Sequence, residues 1–151
     1  MAYWNWDPSY NIGIEEIDNQ HKKIVQYINE LHEAFVLNDK NIVKNTLFNI
    51  TEYVISHFSF EEKLMEEAEY PQFMHHKSIH ENFVSSIGKY KIAFNEGRDI
   101  TGQLMAELQI WLTQHILIED RAYKESVQKM LNSKNTVKKS DKHTWFKKIF
   151  N

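Results

Sequence analysis

Four stretches of the sequence carry apolar residues at alternating spacings of three and four, the pattern of helices that each bury one face. The positions are Ile14, Ile17, His21, Ile24, Ile28, Leu31 and Phe35 in the first stretch; Val43, Leu47, Ile50, Val54, His57, Glu61, Leu64 and Ala68 in the second; Phe73, His76, His80, Phe83, Ile87, Tyr90 and Phe94 in the third; and Leu104, Leu108, Trp111, His115 and Ile118 in the fourth. Short breaks near residues 38–41 and 97–99, and Pro71 before the third stretch, separate them. Four long amphipathic helices with short connections predict an all-α fold, an up-down-up-down four-helix bundle.

The composition is typical of a single helical domain. Only four Gly and two Pro occur in 151 residues, which argues against a loop-rich β fold. The chain has no Cys, which excludes disulfides, iron–sulfur clusters and thiol nucleophiles, so any metal must bind through nitrogen and oxygen. Neither a secretory signal pattern nor an apolar run of about 18 residues is visible, and we expect a cytoplasmic protein.

Charge divides the chain into two parts. The net charge is −3, but residues 132–151 hold six Lys and one Asp, which leaves −8 for residues 1–131. We therefore predict an acidic domain over residues 1–131 that is monomeric and binds no nucleic acid, and a short basic C-terminal extension over residues 132–151. Trp145, Phe146, Ile149 and Phe150 alternate with lysines in the extension. This pattern fits an amphipathic helix that docks on an acidic membrane or a protein partner; the alternative is an extension that packs on the bundle or stays mobile.

Six positions of the apolar stripes hold ionisable residues. They are His21, His57, Glu61, His76, His80 and His115. Any one such histidine, taken alone, is more often a hydrogen-bonded interior residue than a metal ligand. Together, however, six buried ionisable groups would each cost on the order of several kcal/mol, against a net stability of only about 5–15 kcal/mol for a domain. A metal centre compensates this cost, because its ligand bonds form only in the folded chain.

Asp120 is a further candidate that does not fit the fourth stripe. The five-residue step from His115 to Asp120 turns the direction of the side chain by about 140° on an ideal α-helix. Asp120 belongs instead to the neighbouring row Leu112, Ile116, Asp120, Tyr123 and Val127. Both rows can face one centre if the helix rotates or if it carries a π-type bulge near residues 115–120.

The number of candidate ligands indicates two metal ions. His57 and Glu61 are four residues apart, as are His76 and His80, so each pair shares a helix face. Five imidazoles and two carboxylates suit a first-row ion such as Fe, Mn or Zn, and seven side chains exceed the capacity of one ion. Two octahedral ions offer about twelve positions, and these side chains with one shared oxo or hydroxo group leave about one open. A histidine-rich set is less anionic than the carboxylate-rich sites that activate O2, which favours a reversible reaction with O2.

The residues one helical neighbour away from these ligands are apolar. We expect them to wall the open position, and they are Ile24, Phe58, Trp111, Leu112 and Ile116. An apolar wall limits the access of water and protons, which slows the loss of an oxidised centre. The alternative interpretation is that each of these five residues simply packs in the core of the bundle.

The motifs that carry these ligands resemble those of the hemerythrin family, in particular its single-domain bacterial branch. They are Asp-Asn-Gln-His at residues 18–21, His-Phe-Ser-Phe-Glu-Glu at 57–62, Tyr-Pro followed by His-Lys-Ser-Ile-His at 76–80, and the span from His115 to Asp120. The resemblance covers roughly residues 1–131. It implies that His76, His80 and His115 bind one iron, that His21 and His57 bind the other, and that Glu61 and Asp120 bridge the two iron ions together with the oxo or hydroxo group. It also implies that O2 binds at the second iron, that the five apolar residues line its pocket, and that an N-terminal arm with Trp4 and Trp6 packs on the bundle.

The expected function is reversible O2 binding for storage, transport or scavenging, without enzymatic turnover. A di-iron peroxidase, oxidase or iron-repair factor is the competing class, and it would need proton donors or further carboxylates near the open position. A sensor that acts on a separate partner is the third class. We expect His75, His32 and His143 not to bind metal and Glu62 to face solvent as an ordinary helix charge.

Overall fold

The predicted all-α bundle is confirmed by the computed structural model, which describes residues 2–134. A single turn of 3-10 helix at Pro8–Tyr10 precedes the long helices α1 (Glu15–Val36), α2 (Lys40–Glu67) and α3 (Phe73–Asn95). The fourth helix of the bundle has three parts, namely α4 (Thr101–His115), a π-helical segment (Ile116–Asp120) and α5 (Arg121–Ser133). The connections are short, so neighbouring helices run antiparallel. Within residues 2–134, no helix is long and apolar enough to cross a membrane.

The first three long helices end in the same way, with one residue in the left-handed region. This residue is Asn38 (φ 54°) after α1, Glu69 (φ 53°) after α2 and Gly97 (φ 83°) after α3. In each case the following N–H donates back across the last turn, for example from Tyr70 to the carbonyl of Met65 at 3.0 Å. The Asp39 carboxylate then starts α2 by accepting hydrogen bonds from the N–H groups of residues 41 and 42. These closures fix the short connections and hence the relative positions of the helices.

The core follows the predicted stripes with two corrections. Phe35 is 40% exposed because it lies in the last turn of α1, and Ile118 is 64% exposed because it lies on the outer side of the π-helical segment. The neighbouring row of the fourth helix is buried instead, and both Ile116 and Tyr123 have an exposure of 0%. The apolar face of the fourth helix therefore changes row at the π-helical segment.

The N-terminal arm packs on the bundle, as the resemblance implied. Trp4 is buried, and its backbone N–H and C=O both bond the side-chain amide of Asn29, at 2.8 and 2.9 Å. The Asp18 carboxylate accepts hydrogen bonds from the N–H groups of Ile12 (2.8 Å) and Gly13 (3.1 Å). Gly13 has a φ of 95°, which a residue with a side chain rarely adopts. The arm is thus held to α1 at two points.

Candidate metal centre

All seven predicted ligands meet in the interior of the bundle. The helix α1 provides His21, α2 provides His57 and Glu61, and α3 provides His76 and His80. The last residue of α4 is His115, and the last residue of the π-helical segment is Asp120. No member is more than 2% exposed. Their side chains form two groups, which we call the three-His group (His76, His80 and His115) and the two-His group (His21 and His57). Glu61 and Asp120 lie close to both groups, and together with them the ligand atoms of each group lie within 4.8 Å of one another.

The π-helical segment brings Asp120 to the same face as His115. Of the two alternatives that the five-residue step left open, the structure has the π-type bulge. In a π-turn the backbone bonds from residue i to i+5, so residues five apart stand above one another. The extra residue is accommodated on the outer side, where Ile118 is exposed. The bulge therefore allows one helix to contribute both an imidazole and a carboxylate.

The Asp120 carboxylate lies between the two groups. Its Oδ2 atom is 3.0 Å from Nε2 of His21, in the two-His group. Its Oδ1 atom is 3.2 Å from Nε2 of His76 and 3.0 Å from Nε2 of His115, in the three-His group. Glu61 contacts Nε2 of His57 through its Oε1 atom. One carboxylate oxygen thus faces each group, which is the arrangement that a bridging ligand requires.

The three-His group brings together nitrogen atoms that do not suit one another as hydrogen-bond partners. Nε2 of His80 lies 3.0 Å from Nε2 of His76 and 3.0 Å from Nε2 of His115. An imidazole nitrogen either carries a proton or presents a lone pair, so when all three nitrogens are unprotonated their lone pairs face one another and repel. A cation placed among them accepts all three lone pairs.

Buried polar atoms that make no hydrogen bond of good geometry concentrate in the same place. They include both carboxylate oxygens of Glu61 and of Asp120, and the Nε2 atoms of His21 and His57. Leaving so many buried polar atoms unsatisfied would cost on the order of 1–3 kcal/mol for each one. Nitrogen and oxygen donors in this number fit a pair of first-row divalent or trivalent metal ions. The residues present therefore fit a dinuclear metal site.

The charge states of the group also suit a cation. Burial alone would raise the pKa of Asp120, but the surrounding imidazoles, His115 foremost, hold the pKa of this carboxyl well below its usual range. Burial and the Asp120 charge likewise raise the pKa of Glu61, and His57 outweighs them, so that this pKa is also lowered. Burial lowers the pKa of His80 to about 3. Burial would lower the pKa of His115, but the charge of Asp120 outweighs it and raises this pKa, so a metal ion that binds here displaces a more tightly held proton from His115. At neutral pH the centre presents two carboxylates and a neutral His80, the protonation states in which these three residues bind metal.

Three polar residues next to ligands in the sequence contact the outer nitrogens of other ligands. Nδ1 of His57 donates to the amide oxygen of Gln20 (2.6 Å), and Nδ1 of His80 donates to Glu62 Oε2 (3.0 Å). Nδ1 of His115 is 3.7 Å from Glu119 Oε2. The expectation that Glu62 faces solvent is wrong, because its carboxylate reaches from α2 to α3 and is only 21% exposed. In the sequence, these contacts could have been suspected because each polar residue directly adjoins a ligand. The sequence does not show, however, which neighbouring helix the side chain reaches.

An apolar cavity lies beside the centre. It measures about 10 Å³, room for roughly one water-sized sphere. Four of the five predicted pocket residues line it, and the full lining is Ile24, Ile28, Val54, Phe58, Phe83, Leu108, Trp111 and Leu112. The fifth, Ile116, is buried but does not line this cavity. The ring of Phe58 stacks on His80 (3.8 Å between centroids) and lies 5.9 Å from the ring of His57, and that of Trp111 stacks on His115 (4.4 Å). The cavity wall therefore contacts histidines of both groups.

The remaining histidines among the described residues, His32 and His75, lie away from the centre. His75 is exposed, although its neighbour His76 is buried. His32 is half-buried and stacks on Tyr3 with the ring centroids 4.7 Å apart. His143 and the predicted amphipathic residues Trp145, Phe146, Ile149 and Phe150 lie outside the described residues.

Comparison with known proteins identifies the family. The family model of the hemerythrin HHE cation binding domain matches residues 12–127. A bacteriohemerythrin of Stenotrophomonas maltophilia is 40% identical over 132 residues, which are 87% of this chain and 86% of that protein. A bacteriohemerythrin of Pseudomonas aeruginosa is 39% identical over 128 residues, covering 85% of this chain and 84% of that protein. Among solved structures, a wild-type hemerythrin matches with a TM-score of 0.79 at 25% identity, over 83% of this chain and 98% of that chain. The chain therefore belongs to the hemerythrin family.

Proposed function

We propose that the protein binds O2 reversibly at a non-haem di-iron centre, for oxygen storage, transport or scavenging. The observation that carries the proposal is the pair of buried ligand groups that share Glu61 and Asp120. Membership of the hemerythrin family supports iron as the metal and O2 as the ligand. When bound, the iron ions supply the electrons that O2 takes up on binding and returns on release.

The two groups have unequal numbers of ligands, which gives each a different role. The three-His group with Glu61 and Asp120 supplies enough donors to hold one ion nearly saturated. The two-His group supplies one imidazole fewer, so an ion held there would keep a position for an exogenous ligand. Glu61 and Asp120, which lie close to both groups, would help to hold both ions.

The apolar cavity explains why O2 would be bound and released rather than consumed. Among residues 2–134, none with a carboxyl, hydroxyl or amine group lines it. Phe58, Trp111 and Leu112 exclude water and offer no acidic proton to a reduced oxygen species, which disfavours cleavage of the O–O bond. Ile24 closes the cavity from α1. The residues that line the cavity therefore favour reversible binding over turnover.

A reversibility cycle tests this proposal. The protein is loaded with Fe(II) without air, its visible spectrum is recorded, and the same sample is oxygenated and then degassed. We expect a charge-transfer band that appears with O2 and disappears on degassing over repeated cycles. Irreversible oxidation in the first cycle, or turnover of peroxide well above that of free iron, would favour the enzymatic class instead.

A further inference from the structure

The outer contacts of the histidines distinguish the two metal positions. In the three-His group the Nδ1 atoms of His80 and His115 face the carboxylates of Glu62 and Glu119. In the two-His group the Nδ1 atom of His57 faces the neutral amide of Gln20. Among the described residues, carboxylates therefore stand behind two histidines of the three-His group, whereas an amide stands behind His57.

Of these contacts, the one between Glu62 and His80 joins two helices. Glu62 follows Glu61 on α2, and its Oε2 atom accepts the Nδ1 proton of His80 on α3 at 3.0 Å. The His80 ring is held on its other side by Phe58, which stacks on it nearly parallel, with an angle of 4° between the ring planes. Because Nδ1 carries the proton, Nε2 presents its lone pair to the centre of the three-His group. The ring is thus fixed in both tautomer and orientation.

We propose that Glu62 is a positioning residue that makes the three-His position the tighter of two unequal metal positions, so that this position is filled first. The carboxylate both orients His80 and increases the basicity of its Nε2 atom, whereas Gln20 orients His57 without adding charge. The two-His position, on which the proposed function places O2, is then the more weakly held. The inference rests on the proposed di-metal centre but not on its reaction with O2.

Stepwise addition of a redox-inert metal ion to the metal-free full-length protein tests the inference. Zn(II) is followed by calorimetry and Co(II) by its visible absorption, with three single variants compared with the unmodified protein. Glu62→Gln keeps a hydrogen-bond acceptor for His80 and removes the charge. Gln20→Glu adds the charge behind His57. Glu66→Gln removes a carboxylate from an exposed position one turn further along α2 and serves as the matched control.

We expect two binding steps of unequal affinity in the unmodified protein. Glu62→Gln should weaken the tighter step by about 10–100-fold and leave the weaker step unchanged. Gln20→Glu should strengthen the weaker step, and Glu66→Gln should change neither. A fourth variant, Glu62→Ala, removes the hydrogen-bond acceptor altogether. In the Zn(II) form, the Nδ1 proton of His80 should remain detectable by NMR in Glu62→Gln and should exchange rapidly in Glu62→Ala.

The possible failures are distinguishable. If two ions bind and Glu62→Gln behaves like Glu66→Gln, or weakens both steps equally, the inference is overturned while the proposed function stands. If the unmodified protein takes up one ion or none, the di-metal centre itself is contradicted and the inference falls with it.

Discussion

The contact between Asn29 and the N-terminal arm gives a prediction whose size follows from the structure. Asn29→Ala removes two hydrogen bonds, from Trp4 N–H to Oδ1 (2.8 Å) and from Nδ2 to the Trp4 carbonyl (2.9 Å). At about 1 kcal/mol for each bond, plus the cost of leaving two partly buried backbone groups unpaired, the loss is roughly 2–3 kcal/mol. Alanine regains about 0.5 kcal/mol through its higher helix propensity. We therefore expect the free energy of unfolding to fall by about 2 kcal/mol, and Tm to fall by roughly 4–8 °C.

The same change should loosen the arm above the metal centre. The ring of Trp6 in the arm lies 6.4 Å from the ring of His21, so opening of the arm exposes the two-His side. A loss of about 2 kcal/mol raises the open population roughly 30-fold if the arm opens as a unit. The Ile12 amide, which donates to Asp18 at 2.8 Å and does not contact Asn29, should then exchange its hydrogen faster by a similar factor.

Gln26→Ala is the matched control for this prediction, because it removes an exposed amide of α1 that bonds only the neighbouring side chain of Glu30. Thermal melts and amide exchange of both variants provide the measurement. If Asn29→Ala melts and exchanges like Gln26→Ala, the reasoning about the arm is refuted.

Three further predictions concern the centre. Because both ligand groups share Asp120, the variant Asp120→Ala should abolish the uptake of both metal ions. His21→Gln should still bind about one ion per chain, as measured by metal analysis. Equal losses in the two variants would contradict the sharing of this carboxylate. Phe58→Ala should lower the free energy of unfolding, measured in urea, by about 3–5 kcal/mol. Because the smaller side chain admits water to the cavity, the variant should also shorten the lifetime of the oxygenated form, followed by its visible spectrum. An unchanged lifetime would contradict the role of the cavity wall. In the metal-free protein, the pKa of His80 is about 3 when folded and about 6.5 when unfolded, so stability is lost as the pH falls through this range. Between about pH 6.5 and pH 5 this loss of stability amounts to about 2 kcal/mol. His80→Gln should not show this loss when unfolding by denaturant is measured over the same pH range. An equal pH dependence in the variant and the unmodified protein would contradict the burial of a neutral His80.

Most of the fold and the set of candidate ligands could be predicted because helical periodicity determines which side chains share a face. Six of the seven candidates stand in apolar stripes, where an ionisable residue is conspicuous. Asp120 stands in the neighbouring row, and the five-residue step from His115 predicts either a rotation of the helix or a π-type bulge, of which the structure has the bulge. Both observations depend on local geometry alone.

The predictions that failed depend on contacts between helices or on helix ends. Glu62 stands beside a stripe, and only the position of α3 shows that its carboxylate reaches His80. Phe35 and Ile118 fit the periodicity, but the end of α1 and the extra residue of the π-turn place them at the surface. Periodicity describes one helix at a time, so it misses features that arise when helices end, bulge or meet.

The central claim is that seven side chains inside the bundle hold a pair of metal ions, and a crystal of the iron-loaded protein tests it most directly. Anomalous diffraction at the iron edge, combined with metal analysis of the same preparation, should show two iron ions per chain. Each ion should lie within bonding distance of one of the two histidine groups and of Glu61 and Asp120. A single peak bound by all the histidines, or iron located outside the bundle, would contradict the account.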